Sequence, residues 1–292
     1  LSEQRRRPNS RSESRPSGRS SRPSPTPYRD RTPRLPVAST SWDPLAFWYN
    51  GWVGEHGSEY HRAIALPAAL RLLAPQPGER ILDVGAGTGV PAPATVRSGA
   101  AYVGVDASPR LIDYARRQHG SIGRFLVGDA RKLPSIRSLE PDSFDAVLFL
   151  LSIQDMDPLE PVLAAAARML NDRGRIVLLL THPAFRVPRQ SGWGWDASRK
   201  LVYRRVDRYL TPLPVPMKPY PGNGEGPTTR SFHRPLGMYV NGLAACGLCI
   251  DRMEELPAHK SVSGFGNPKA EKLAREEIPL FLGLRARKLS PG

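Results

Sequence analysis

Between residues 78 and 180, short unbroken apolar runs alternate with segments whose apolar residues recur every three or four positions. The runs at 80–84, 102–105, 124–127, 146–151 and 175–180 predict strands. The periodic segments at 91–97, 109–118 and 159–170 predict helices. An unbroken apolar strand is expected where helices cover both faces of a sheet, and strict β–α alternation makes that sheet parallel and doubly wound. Downstream, the pattern predicts a helix at 236–246 and strands at 248–254 and 279–288, seven strands in all. Upstream, 60–73 predicts a helix that stops before Pro75-Gln-Pro-Gly78. It belongs to an N-terminal cap at 37–77, where Trp42-Asp-Pro-Leu-Ala-Phe-Trp-Tyr-Asn-Gly-Trp52 needs a surface to pack on. Residues 182–234 follow strand five and fit neither period. A long insertion without regular structure in a compact domain is usually functional.

Composition adds a second region. The chain has 292 residues and a formal charge of +15. Residues 1–36 hold ten arginines against Glu3, Glu13 and Asp30, a net +7, and are rich in Ser and Pro. Such a segment cannot bury enough apolar surface to offset its ordering entropy, so a disordered basic tail is expected. It reads as a solvated extension or translated upstream sequence, with a transit peptide or a nucleic-acid tether as alternatives. No apolar stretch approaches a membrane span or a signal-peptide core. Cys246 and Cys249 are too few for a four-ligand zinc site, so no metal is expected. They read as buried structural thiols, with a redox pair as the alternative. A reducing, cytoplasmic setting is the default.

The candidate chemistry sits at strand ends. Ile81-Leu-Asp-Val-Gly-Ala-Gly-Thr-Gly-Val90 is a strand running into a glycine turn that opens a helix. Glycine tolerates positive φ and lets a backbone approach a ligand closely. The first-turn N–H groups of the following helix favour an anionic group. The spacing G-x-G-x-G differs from the dinucleotide G-x-G-x-x-G. Asp83 precedes the turn, Asp106 closes the second strand and Asp129 the third. Ligands of open α/β sheets bind at these carboxyl ends. There Asp106 can accept from a ribose diol and Asp129 from an adenine amine. Each acid could instead cap a helix.

Together these motifs resemble class I S-adenosylmethionine-dependent methyltransferases of the type 11 branch. Asp83–Gly89 is similar to the family's glycine-rich motif, Val105-Asp106-Ala107-Ser108 to its ribose loop and Gly128-Asp129-Ala130 to its adenine loop. Ser143-Phe-Asp-Ala-Val147 and Leu170-Asn-Asp-Arg-Gly-Arg-Ile176 resemble the approaches to strands four and five, though Asn171-Asp172-Arg173 replace the usual turn residues. The resemblance implies a Rossmann-like fold and S-adenosylmethionine as cofactor. It would be held by Asp83, Gly85, Ala86, Gly87, Gly89, Asp106, Ala107, Asp129, Ala130 and Leu150. Many relatives carry two histidines after strand four, where this chain has Gln154-Asp155. Pro91 and Pro93 also depart from the pattern and are tolerable only in a helix's first turn.

Acceptor candidates are His182, a histidine beyond strand five that titrates near neutrality, together with Asp155, Gln154, Asp196 and His233. His182 reads as a base or as a loop histidine bonded to backbone. Asp155 reads as a catalytic acid or base, or as a cap for the helix near Pro158. Trp193, Trp195, Tyr203 and Tyr209 read as an aromatic lid over an apolar or planar acceptor, or as a patch packed against the N-terminal aromatics. Tyr60, His61 and Arg62 are placed to enclose the cofactor. The expected function is methyl transfer to O, N or C of a small molecule. The alternatives are an RNA or protein methyltransferase using the basic tail, and a non-catalytic cofactor binder. Base-amino methylation is disfavoured because Leu151-Ser-Ile-Gln154 lacks an Asn/Asp-Pro-Pro-aromatic motif, so a nucleic-acid partner is possible through the tail but not favoured. Neither the acceptor nor the oligomeric state has a readable code.

Overall fold

The structure is a computed structural model that describes residues 41–217, 228–259 and 264–288. The basic tail at 1–36 lies outside the described residues. A seven-stranded sheet forms the centre: β1 (Arg80–Val84), β2 (Ala101–Asp106), β3 (Arg124–Val127), β4 (Phe144–Leu150), β5 (Leu170–Thr181), β10 (Leu248–Pro257) and β11 (Pro279–Lys288). Its order is β10-β11-β5-β4-β1-β2-β3. Strands β1 to β5 pair in parallel, whereas β11 runs antiparallel to both β5 and β10. The connection reverses between β1 and β4, which opens a crevice at their carboxyl ends.

The two-residue period of a strand divides its side chains between two layers. Ile81, Ala146, Leu148, Val177 and Leu179 pack with Ala68, Ala69, Leu72 and Leu73 of α2 (Leu66–Leu73). Leu82, Val84, Val147, Phe149, Leu178 and Leu180 pack on the other face, against α5 (Leu159–Met169) and α6 (Leu236–Ala245). Helices α3 (Ala92–Arg97) and α4 (Pro109–His119) close the β2–β3 end around Tyr102 and Phe125. The buried Arg175 binds Glu79 bidentately at 2.8 and 2.7 Å and donates to the Leu73 carbonyl, tying the end of α2 to β5.

Several sequence expectations need correction. The insertion at 182–234 is not structureless. It forms two antiparallel hairpins, β6 (Ser191–Asp196) with β7 (Leu201–Val206), and β8 (Leu213–Met217) with β9 (Thr229–His233). Asn171–Gly174 is extended and belongs to β5 rather than to a turn. The helix expected at 60–73 starts as a π-helical turn, His61–Ala65, before α2. A polar helix, α7 (Pro268–Glu277), had no clear apolar period. Cys246 is half-buried and Cys249 exposed, and both are free, so the pair is not buried as expected. Among the described residues no helix is long and apolar enough to cross a membrane.

Candidate active site

Three positive-φ glycines make the turn after β1: Gly85 at +74°, Gly87 at +55° and Gly89 at +81°. They serve different ends. A Cβ on Gly85 would stand 2.5 Å from the Ser152 Cβ, and one on Gly89 would stand 2.8 Å from the Phe125 ring. Those two are required by packing. Ser152 also donates to the Val84 carbonyl at 2.6 Å, stitching the ends of β1 and β4 together. At Gly87 a Cβ would enter the gap below the Tyr49 ring, which is 3.4 Å away.

Asp106 faces this gap. Its Oδ2 accepts from the Gly87 N–H at 2.9 Å and its Oδ1 from the Ser108 N–H at 2.8 Å. Ser108, not Asp106, caps α4, accepting from the Leu111 N–H. Asp106 therefore keeps lone pairs for a ligand, and burial raises its pKa against those two backbone bonds. Asp129 caps the short helix Ala130–Ser135 and is gripped by the Arg131 guanidinium. That ion pair holds its pKa low despite partial burial. Asp83, 1% exposed, accepts from the Tyr102 hydroxyl, while its Oδ1 has no hydrogen-bond partner. Burial pushes its pKa up to about 7, with Tyr102 opposing and Asp106 adding to the rise.

The cap covers this half of the crevice. The segment Asp43–Leu45 leads into α1 (Ala46–Val53). Asp43 Oδ1 accepts from the Ser108 hydroxyl at 2.7 Å and the Arg110 N–H at 3.0 Å. Thr88 donates to the Gly54 carbonyl at 3.2 Å. These contacts set the Tyr49 ring against Gly87, with Trp42 and Trp52 beside Tyr49 on the cavity wall. Asp43 is a site residue that the sequence does not advertise. Its signal, an acid before a proline and an aromatic helix, is also an ordinary helix start.

A cavity of about 700 Å³ runs from this region to the ends of β4, β5 and β9. Of the expected cofactor residues, Gly85, Gly87, Asp106, Ala107, Asp129, Ala130 and Leu150 line it; Asp83, Ala86 and Gly89 lie behind the wall. Ala86 donates its N–H to the Val105 carbonyl. Of the acceptor candidates, Gln154, Asp155 and His233 line the cavity, as do Tyr60 and His61. Gln154 Oε1 is held by the Thr181 N–H at 3.1 Å, and His233 Nε2 contacts the Tyr209 carbonyl at 2.7 Å. The His61 ring, bonded through Nδ1 to Ser58 at 2.8 Å, is driven down to a pKa of about 4 by burial and by Arg62. Arg62 itself donates to the Gly57 carbonyl and is absent from the wall. Burial pushes Asp155 up to about 7, against the Ser231 hydroxyl, the Trp42 indole and Arg234. It does not cap α5, whose cap position is Pro158.

Three acceptor assignments do not survive the geometry. His182 is 2% exposed and absent from the cavity wall; Nδ1 accepts from the Ala184 N–H at 3.2 Å and Nε2 meets Glu255 at 2.9 Å. With both ring nitrogens engaged, it holds a loop. Trp193 and Trp195 are not a lid; they pack with Val202, Ala270 and Ala274 beneath α7. Asp196 lies away from the wall and accepts from the Ser198 and Arg199 N–H groups. The cavity instead recruits Arg186 and Arg234, which had no assigned role.

Comparison with known proteins fits this picture. A family model described as "Methyltransferase domain" matches residues 82–178. A structure from Mesorhizobium loti, described as an S-adenosylmethionine-dependent methyltransferase, superposes with a TM-score of 0.59 at 25% identity, over 76% of this chain and 96% of its own. The chain carries a class I S-adenosylmethionine-dependent methyltransferase domain. Among curated relatives, a demethylmenaquinone methyltransferase of Tropheryma whipplei (strain Twist) is 38% identical over 122 residues, 40% of this chain and 48% of that protein. A ubiquinone biosynthesis O-methyltransferase of Xylella fastidiosa (strain 9a5c) is 27% identical over 137 residues, 46% of this chain and 56% of that protein. The chain thus spans about half the length of the curated relatives it matches.

The residues present suit the methyltransferase domain's cofactor, S-adenosylmethionine. Asp106 offers acceptors for hydroxyls, and Gly87 leaves the gap that a Cβ would fill. Asp106 and Asp155 stand on the cavity wall and Asp83 lies behind it with an unpartnered oxygen; burial raises all three, and a cationic ligand beside them would favour their ionised forms.

Proposed function

We propose that this protein transfers a methyl group from S-adenosylmethionine to an O, N or C atom of a small-molecule acceptor. One observation carries the reading. The Asp106 carboxylate, fixed by the Gly87 and Ser108 N–H groups, opens into a cavity whose wall also carries a second carboxyl, Asp155, that burial pushes up to about 7. The relatives' names, which concern quinone precursors, support a small acceptor.

When bound, S-adenosylmethionine would supply an electrophilic methyl group on a cationic sulfur, open to displacement by the acceptor's lone pair with the carbon–sulfur electrons left on sulfur. In-line displacement asks the protein mainly for alignment and dryness. Asp106 would hold the cofactor's hydroxyls, and Gly87 would allow the backbone close approach. Trp42, Tyr49 and Trp52 exclude water from above. At the acceptor end the Asp155 carboxylate takes the proton of an O–H or N–H nucleophile, and its pKa near neutrality suits that exchange. His182, with both nitrogens spent, has no part in it.

The test is isothermal titration of the full chain with S-adenosylhomocysteine, followed by label transfer from methyl-tritiated S-adenosylmethionine to panels of phenols, amines, carboxylic acids, RNA and protein. Micromolar binding with label in a small molecule is expected. No binding at millimolar ligand, or label only in RNA or protein, overturns the reading.

A further inference from the structure

Arg186 brings a positive charge to the cavity wall beyond β5 that no carboxylate among the described residues answers. Its Nε donates to the Pro279 carbonyl at 3.1 Å and its Nη2 to the Ile278 carbonyl at 3.5 Å. A guanidinium has five N–H donors, so three remain. Its guanidinium carbon lies 5.1 Å from the Trp193 ring centre, and that of Arg204 lies at the same distance. Arg204 is itself held by the Phe185 carbonyl and the Ser191 hydroxyl. Among the described residues neither arginine has a carboxylate partner. Two half-buried cations beside one indole repel each other and have lost part of their hydration. Burial and the Arg204 charge bring Arg186 down to about 10. A charged group kept in this condition at a cavity wall calls for an anion from outside the chain.

We infer that the methyl acceptor is a small, largely apolar carboxylic acid whose carboxylate binds Arg186. The inference rests on the methyl-transfer reading above and names the acceptor's class. Pro183, Pro188, Tyr60 and Phe281 give the same wall apolar and aromatic surface, beside Thr181 and Gln154, which bond each other through the Thr181 N–H and the Gln154 Oε1. Three strand spacings separate β2 from β5, about 14 Å at ~4.8 Å each. That span puts Arg186 at the opposite end of the crevice from a ribose on Asp106. The carboxylate is thus a handle, and the atom to be methylated lies toward Asp155, beyond the neighbouring strand β4. Trp193 and Arg204 act as positioning residues. The indole fixes the guanidinium plane, and the second cation strengthens the pull on the anion.

The experiment uses the full chain saturated with S-adenosylhomocysteine. Matched pairs of acid and neutral amide are titrated: salicylate and salicylamide, 4-hydroxyphenylacetate and its amide, octanoate and octanamide. In the wild type at least one acid binds tenfold or more tighter than its amide. R186Q brings the pair within twofold of each other, R186K keeps part of the preference, and both bind S-adenosylhomocysteine within twofold of wild type. W193L reduces the acid preference and leaves S-adenosylhomocysteine binding intact. The inference is overturned by equal binding of every pair to wild type, or by a preference that survives R186Q. It is also overturned if R186Q weakens S-adenosylhomocysteine tenfold, because Arg186 would then serve the cofactor's own carboxylate. If the wild type does not bind S-adenosylhomocysteine, methyl transfer falls and this inference with it. Tight binding without an acid preference removes this inference alone.

Discussion

Asp83→Asn should change how stability depends on pH. Asp83 is 1% exposed, has an unpartnered oxygen and titrates near 7 in the fold against an ordinary value of 3.8. A carboxyl whose folded pKa is raised binds its proton more tightly in the native state than in the unfolded one. Its contribution is therefore fully present below about pH 4 and is lost as pH rises through 7. With those two values, linkage gives a loss of about 2.6 kcal/mol between pH 5 and pH 8 from this residue alone. Asparagine can still accept the Tyr102 hydroxyl hydrogen bond but does not titrate. The assay is urea unfolding of the ligand-free protein at pH 5, 6, 7 and 8. The wild type should lose about 2.6 kcal/mol more than the variant across that range. Asp155 also titrates near 7, but it is common to both proteins and drops out of the comparison. Parallel pH profiles for the two proteins would refute the argument, because they would mean Asp83 is ionised throughout.

The same carboxyl groups should tune the cofactor. Affinity for cationic S-adenosylmethionine should rise by up to about tenfold from pH 6 to pH 8, as the ionised share of a group titrating near 7 climbs, whereas neutral-sulfur S-adenosylhomocysteine should change little; identical profiles would remove charge from the account. Gly85→Ala should cost about 2–4 kcal/mol in chemical denaturation, because its Cβ lands against Ser152. Gly87→Ala should cost about 1–3 kcal/mol, the backbone term alone, and weaken cofactor binding by calorimetry; equal stability losses would contradict the division of roles. Asp106→Asn should weaken S-adenosylhomocysteine by at least tenfold, about 1.4 kcal/mol, since an amide nitrogen would face the Gly87 or Ser108 N–H. If the acceptor arrives protonated, Asp155→Asn should lower kcat by roughly a hundredfold or more and abolish its rise through pH 7; a persisting rise would assign the proton elsewhere.

The sheet was readable because its strands are buried on both faces. Ile81–Val84, apart from Asp83, and 176–180 are large apolar residues, and their short length between turn signals favours strands over helices. The cofactor half was readable for a related reason: a single turn and two strand ends carry it, so the signal is local. The hairpins were hidden by Gly and Pro. In Ser191-Gly-Trp-Gly-Trp-Asp196 and Leu213-Pro-Val-Pro-Met217, period two survives only in the tryptophans and in Leu213, Val215 and Met217. Proline fits because two-stranded ribbons are all edge. Helix α7 buries only Ala270 and Ala274, too little apolar surface to announce itself. The acceptor half was unreadable for a deeper reason. Trp42, Tyr60, Asp155, Arg186 and the Ser231–Arg234 stretch come from five separate segments, and only the closed fold brings them to one cavity. His182 misled because a histidine's chemistry is visible in sequence while the carboxylate that occupies it, Glu255, is 73 positions away.

The one reversed strand has a practical corollary. Because β11 descends while its neighbours climb, Lys288 finishes beside the start of β5, donating to the Leu170 carbonyl at 2.6 Å. The polypeptide therefore leaves the sheet on the rim away from the mouth of the chemistry. A dye or immobilising handle grafted there would sit a full strand length from the cavity, so sensor-surface kinetics can be run with the working face turned to solution.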